Sequence, residues 1–306
     1  MNERYIEEKG KNISSFKAEL ILLFATISWG LSFPLIKISL DYFDPVTFVL
    51  IRFGVSLIIC IIILYKQVRL LTFKEIKYGL ILGIFLFLGF ITQTAGLKFT
   101  TASNSAFITG TNILLLPFIQ VIIVKKKPKV ENIIGIIISF IGLYYLTGIE
   151  HKPLNIGDLI TFICAISFAF QIVLLDYYSQ KTGFLPLLIG QFITMTILGF
   201  FSLFILHSIL SEEIYIRLNP ASFSLMLFNI LFPTILSFIL TIKFQKFTTP
   251  VKAGLIYNSE VFYAIVSSYF ILNEILQTHQ IIGGILIITG IIVSEFFGEI
   301  IKLKTK

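Results

Sequence analysis

Ten long apolar runs separated by short charged clusters constrain this chain more than any other feature. They fall at about 18–40, 45–65, 76–97, 101–124, 130–148, 157–178, 185–207, 220–242, 249–272 and 279–298. A helix that crosses a bilayer needs about 20 predominantly apolar residues. These runs are that long and unbroken, whereas barrel strands alternate over about ten residues. Ten such helices consume about 200 residues of the 306 present, leaving connections too short for a water-soluble catalytic domain. Charged residues make up 13% of the chain, about half the share usual in soluble proteins. The expected fold is therefore an all-α membrane protein of ten transmembrane helices. Cys60 and Cys164, the only cysteines, lie inside apolar runs, which excludes a disulfide scaffold. The first run is too long for a signal peptide and no small-x-small cleavage site follows it, so it reads as a retained helix.

Orientation follows from counting Lys and Arg on alternate sides of the ten runs. The side holding the N-terminus collects nineteen, including the cluster Lys125, Lys126, Lys127 and Lys129. The other side has Lys37, Lys98, Lys152 and Arg217, and Arg52 lies within a run. This asymmetry places both termini in the cytoplasm. The net charge of +7 then belongs to a rim facing anionic lipid, and no nucleic-acid partner is expected. Isoleucine- and lysine-rich usage points to a bacterial plasma (inner) membrane.

The chain also repeats itself. A shift of 148 residues lays Thr100-Thr101 on Thr248-Thr249, Ile133-Ile134-Gly135 on Ile281-Ile282-Gly283, and Gly142 on Gly290, without a gap. A shift of 139 relates the earlier helices, as in Ile27-Ser28 on Ile166-Ser167. The expected organisation is a tail at 1–17, a five-helix repeat at 18–148, a second at 157–298 and a tail at 299–306. Five helices is an odd number, so the second copy enters the membrane upside down. Inverted repeats let two like halves exchange conformations around a shared midplane site, the arrangement that many transporters use.

Trp29-Gly30 followed by Phe33, Pro34 and Lys37, then Pro45 and Arg52-Phe53, resembles the opening of EamA-type proteins of the drug/metabolite transporter superfamily. So do Thr100-Thr101-Ala102, Pro117, and the pairs Gly135…Gly142 and Gly283…Gly290. The resemblance covers nearly all of 18–298. It implies a ten-helix secondary carrier of small metabolites with a central cavity, with export of amino acids or related compounds. One departure is visible: Glu274 stands in an Asn-Glu turn of the second half, and the matching position in the first half is Lys126.

Charge at bilayer depth costs at least ~2.5–3.5 kcal/mol on insertion scales, so each such residue calls for a reason. Glu260 is the deepest, in the polar run Tyr257-Asn258-Ser259-Glu260. On a regular helix one of these four faces close to lipid, unless the bundle surrounds it on every side. The 148-residue shift places Glu260 on Asn112, within Thr109-Gly110-Thr111-Asn112. The fourth and ninth runs are therefore expected to supply most of the cavity lining, with the first, third, sixth and eighth contributing. Glu260 is expected to bind an amine-bearing group or to take up a proton during transport; a protonated or paired glutamate that only ties helices together is the other reading. Arg52 lies at a depth where it can pair with Glu260, gate the path or anchor a carboxylate, or else serve as a structural tie. Gln93 and Gln171 are open to two roles, helix bridging and cavity lining. Trp29 is read as a cavity wall with Tyr257 opposite, or as a packed aromatic. Lys37 is expected to reach the headgroups, and Glu19, Asp158 and Asp176 to reach water at helix ends. Pro34, Pro117 and Pro233 lie within helices, each removing a backbone hydrogen bond, and are candidate hinges.

No phosphate loop, no His-Glu-x-x-His and no cluster of His151, His207 and His279 appears, so neither ATP drive, a cofactor nor a metal is expected. The expected partners are a small-molecule substrate, protons and membrane lipid. Two rivals remain. An intramembrane enzyme needs a nucleophile and base at one depth, which these residues do not assemble. A non-transporting membrane scaffold needs a filled core.

Overall fold

A computed structural model describes residues 13–100, 102–147, 155–208, 214–272 and 277–304. Thr101, His151, Lys152, Glu274 and the terminal charges Arg4, Lys9, Lys11 and Lys306 lie outside the described residues. The helices are α1 Ser15–Ser39, α2 Pro45–Ile63, α3 Phe73–Gly96, α4 Ala102–Gly110, α5 Asn112–Ile123, α6 Val130–Thr147 and α7 Ile156–Ser179, then α8 Phe184–Ser208, α9 Pro220–Ile230, α10 Ser237–Phe244, α11 Pro250–Tyr257, α12 Ser259–Leu272 and α13 Thr278–Lys304. A π-helical turn, Leu231–Leu236, joins α9 to α10. Eight helical stretches among the described residues are long and apolar enough to cross a bilayer; α6 and α13 add shorter apolar cores at Val130–Tyr145 and Ile281–Ser294. The chain is an all-α, multi-pass membrane protein.

Helix starts follow local chemistry. Asp44 Oδ1 accepts from the Thr47 amide at 2.9 Å and Pro45 opens α2. Asn219 and Thr249 cap α9 and α11 in the same way, each with proline next. Proline suits this position because its missing N–H would be unpaired there in any case. Thr72 with Glu75, and Asn155 with Asp158, form reciprocal capping boxes at α3 and α7.

Two spans are broken rather than continuous. Thr111 separates α4 from α5, and Asn258 separates α11 from α12. The breaks lie together: a Cβ added at Gly110 would stand 2.7 Å from Asn258 Oδ1, so any larger residue there must displace the Asn258 amide. Tyr257, Asn258 and Ser259 are all buried and Glu260 lines an internal cavity, so none of the four faces lipid.

Packing supplies what a hydrophobic drive cannot within lipid, namely close backbone contact and interhelical hydrogen bonds. Helix α13 lies against α6 through the two glycine pairs. A Cβ on Gly135 would sit 2.6 Å from the Gly290 carbonyl oxygen, and one on Gly142 2.8 Å from that of Gly283. Between the helices Phe53 meets Phe90, Phe192 and Phe238 edge to face, at centroid distances of 5.0, 5.6 and 6.0 Å. Phe24, Ile62, Phe118 and Phe270 point outward, as a lipid-facing surface requires.

The helix-end charges behave differently from expectation. Lys37 Nζ donates to the carbonyls of Leu97 and Thr100, capping the exposed end of α3. Glu19 and Asp158 are buried rather than wet. Glu19 accepts from Ser15 Oγ and Thr248 Oγ1, both at 2.7 Å, and Asp158 accepts from Thr100 Oγ1 at 2.7 Å. Asp176 is buried too. In each case a neighbouring helix or turn closes over the helix end that sequence position alone leaves open.

Candidate functional site

Pro233 organises one wall of the interior. Its missing N–H leaves the Asn229 carbonyl without its usual helical partner, and the ladder widens to a π-turn. Thr234 Oγ1 fills the gap by donating to Asn229 O at 2.7 Å. Trp29 Nε1 donates to the Pro233 carbonyl at 2.9 Å, tying α1 to the turn. Arg52 Nε donates to Thr234 Oγ1 at 2.6 Å, tying α2 to it. A single proline thus fixes the positions of both Trp29 and Arg52.

Trp29 and Arg52 border a cavity of about 70 Å³. Its walls are helical stripes: Trp29, Ser32 and Phe33 on α1; Leu86, Phe90 and Gln93 on α3; Phe168, Gln171, Ile172 and Leu175 on α7. Phe238 and Thr241 on α10 continue into Gln245, while Arg52, Asn112, Tyr257 and Glu260 complete the lining. The spacings of three, four and seven residues are those of one helix face.

Most polar groups here are already satisfied by protein. Tyr257 Oη donates to Gln245 Oε1 at 2.9 Å, and Gln245 Nε2 donates to the Ile172 carbonyl at 2.7 Å. Gln171 Nε2 donates to Gln191 Oε1 at 3.1 Å. Gln93 Nε2 donates to Thr109 Oγ1 at 3.2 Å. The two glutamines therefore bridge helices and line the cavity at once. Trp29 and Tyr257 meet edge to face with centroids 5.3 Å apart, which makes them one continuous aromatic wall.

Three groups are left over. Arg52 is 1% exposed, and neither Nη1 nor Nη2 has a hydrogen-bond partner. Its guanidinium lies 4.9 Å from the Phe90 ring centroid and 5.4 Å from that of Phe53, contacts worth roughly 0.5–2 kcal/mol each. Asn112 Oδ1 is buried without a partner. Among the described residues Glu260 has neither an ion pair nor a hydrogen bond through its carboxylate, and it does not pair with Arg52. A guanidinium, a neutral acceptor and a carboxyl group thus border one cavity, each with unused bonding capacity. No group of His, Cys, Asp and Glu among the described residues is arranged to hold a metal ion.

Of the residues singled out in the sequence, Trp29, Arg52, Gln93, Asn112, Gln171, Tyr257 and Glu260 come together on the cavity. Thr109 and Asn258 stand behind its wall, the first against Gln93 and Cys164, the second against Gly110. Pro34 and Pro117 lie within α1 and α5, and Pro233 within the π-turn. The broken spans were expected to dominate the lining, yet α1, α3 and α7 supply most of it. At the breaks the polar groups turn to other helices, Thr109 to Gln93 and Ser259 to Thr26. Thr241 and Gln245 were missed because Lys243 and Lys246 mark that stretch as a water-facing end. The readable signal was Phe238, Thr241 and Gln245 at i, i+3 and i+7.

The EamA-like transporter family matches residues 16–148 and, a second time, residues 155–296. An uncharacterized transporter of Archaeoglobus fulgidus is 30% identical over 291 residues, spanning 94% of this chain and 90% of that protein. The uncharacterized transporter YyaM of Bacillus subtilis is 30% identical over 303 residues, spanning 94% and 96%. A crystal structure of a protein 14% identical in sequence superposes with a TM-score of 0.75, covering 93% of this chain and 98% of its own. At that identity the likeness shows the fold alone.

Proposed function

The chain belongs to the EamA-like transporter family, and from that premise we propose that it is a secondary carrier exporting a small zwitterionic metabolite, an amino acid or a close relative. One observation carries this reading: a basic group, Arg52, and an acidic one, Glu260, border the same cavity and leave each other unpaired. A ligand with both charges suits that arrangement. Its carboxylate meets Arg52 Nη1 and Nη2 in a bidentate pair, and its ammonium lies between Glu260 and Asn112 Oδ1. Gln93 and Gln171 flank the polar centre, and Trp29, Tyr257 and the surrounding phenylalanines receive the apolar part. A scaffold has no use for two unpaired charges at this depth, each costing at least ~2.5–3.5 kcal/mol on insertion scales.

Transport proceeds by alternating access between two inverted five-helix repeats, 18–148 and 157–298. The adjoining breaks, held by Thr109 and Asn258, form the pivot, and Pro34, Pro117 and Pro233 are hinges. Both termini face the cytoplasm of a bacterial inner membrane. Glu260 exchanges its bound ammonium for a proton, which couples export to the proton gradient.

Two measurements test these steps separately. Thermal unfolding of the purified protein reports binding, because a ligand of the folded form raises its apparent stability. Amino acids are expected to raise it, while N-acetylated or esterified derivatives, which lack one of the two charges, are not. Equal stabilisation by the derivatives rejects the zwitterion. In proteoliposomes Glu260→Gln is expected to lose at least tenfold of the pH-gradient-driven flux; unchanged flux removes Glu260 from coupling.

A further inference from the structure

Two hydrogen bonds join residues of 18–148 to residues of 157–298 in the same way. Thr248 Oγ1 donates to Glu19 Oε1, and Thr100 Oγ1 donates to Asp158 Oδ1, both at 2.7 Å. The 139-residue shift lays Glu19 on Asp158, and the 148-residue shift lays Thr100 on Thr248. Both carboxyl groups are buried near the start of a cavity-lining helix, α1 or α7. Each threonine stands two residues before the first segment of a broken span, α4 or α11. The breaks themselves follow at Gly110 and Asn258, equivalent positions under the same shift. The two bonds sit at opposite ends of the cavity. Lys37 Nζ, near the far end of α1, donates to the Thr100 carbonyl at 3.1 Å, whereas Glu19 lies near the beginning of α1. At the helical rise these residues are about 27 Å apart, close to the hydrocarbon thickness. Trp29, Ser32 and Phe33 of the cavity wall lie between them.

We propose that these bonds are paired latches of the transport cycle. The Thr100–Asp158 bond holds the cavity shut toward the outside and the Thr248–Glu19 bond holds it shut toward the cytoplasm. Each turnover parts one while the other stays made. The inference rests on the alternating-access reading above and names the groups that keep each face closed. Segments α4 and α11 act as levers, with a latch at one end and the adjoining breaks at the other. A hydroxyl–carboxyl bond suits the task because water entering an opened face replaces it at small net cost, so that neither state is trapped. The latches are not equal: Lys252 Nζ also lies 3.7 Å from Glu19 Oε1, and the residue at its place in the first half is Asn104.

The test reads which face of the membrane reaches the cavity. Ser32→Cys places a thiol in the lining between the latches, and a membrane-impermeant methanethiosulfonate is applied to right-side-out or inside-out vesicles. The chain without Ser32→Cys serves as the blank. Adding Thr100→Val, which removes the hydroxyl, is expected to speed labelling about fivefold from the outside only, as the loss of one average hydrogen bond gives. Adding Thr248→Val is expected to speed it about twofold from the cytoplasmic face only, because Lys252 still holds Glu19. Thr100→Ser and Thr248→Ser keep the hydroxyl and are expected to keep the rates of Ser32→Cys alone. A purely structural role lowers the Tm of both valine variants without favouring a face. Valine variants that act on the same face, on both faces or on neither overturn the latches. A clean exchange of the two faces keeps the latches and reverses the orientation. A Ser32→Cys thiol that is labelled from neither face rejects the alternating-access reading itself, and the latches with it.

Discussion

Arg52 shows how a single residue can be held against the interest of stability. Its Nε is satisfied by Thr234, but two Nη groups stay buried without partners. Leaving buried charged donors unmade costs more than a typical hydrogen bond returns, and replacing such a group by an apolar side chain of similar length often stabilises. Arg52→Met is therefore expected to raise the apparent Tm in detergent by a few degrees, on the order of 1–4 kcal/mol, despite losing the contacts with Phe53 and Phe90. The same substitution is expected to abolish stabilisation by amino acids. A fall in Tm would show that the guanidinium is a structural tie, the other role open to it from sequence. Sequence depth alone brings Arg52 and Glu260 within pairing range. It cannot show that the Pro233 turn draws the guanidinium to Thr234 instead.

At the scale of elements, the interface between α6 and α13 depends on four glycines in register. Gly135 meets Gly290 and Gly142 meets Gly283, with no room for a Cβ on Gly135, Gly142 or Gly290. The glycine spacing shared by the two halves made this contact readable, since small residues seven apart recur on one helix face. Gly290→Ala is expected to lower stability by ~1–3 kcal/mol, the usual cost of overpacking, measured as a drop in apparent Tm. One turn further along α13 the small residue against α6 is Ser294, whose Oγ donates to Asn132 Oδ1 at 3.3 Å. Ser294→Ala removes that bond without adding bulk and should cost less, about 0.6 kcal/mol. The breaks at Thr111 and Asn258 were not readable. Thr, Asn and Ser tolerate a helix interior within membranes, and the fault arises where two spans cross closely enough for Gly110 to touch Asn258.

For the whole molecule, the all-α, multi-pass character was legible because apolar length is imposed by the bilayer itself. The environment of the helix ends was not. Glu19, Lys37 and Asp158 were all assigned to water or headgroups by position, and all three are instead engaged by neighbouring segments. Hydropathy reports a residue's own preference and not what folds over it. Orientation is a property of the same scale, carried by a rim of lysines on one side and few on the other. Both native cysteines are buried, so they leave an introduced thiol readable without interference. With both termini inside, a membrane-impermeant maleimide applied to intact cells is expected to label Arg217→Cys and to spare Lys127→Cys. Permeabilised cells are expected to label both. The reverse pattern would turn the carrier over in the membrane and make the proposed direction of export one of uptake, while leaving the cavity and its unpaired charges as they stand.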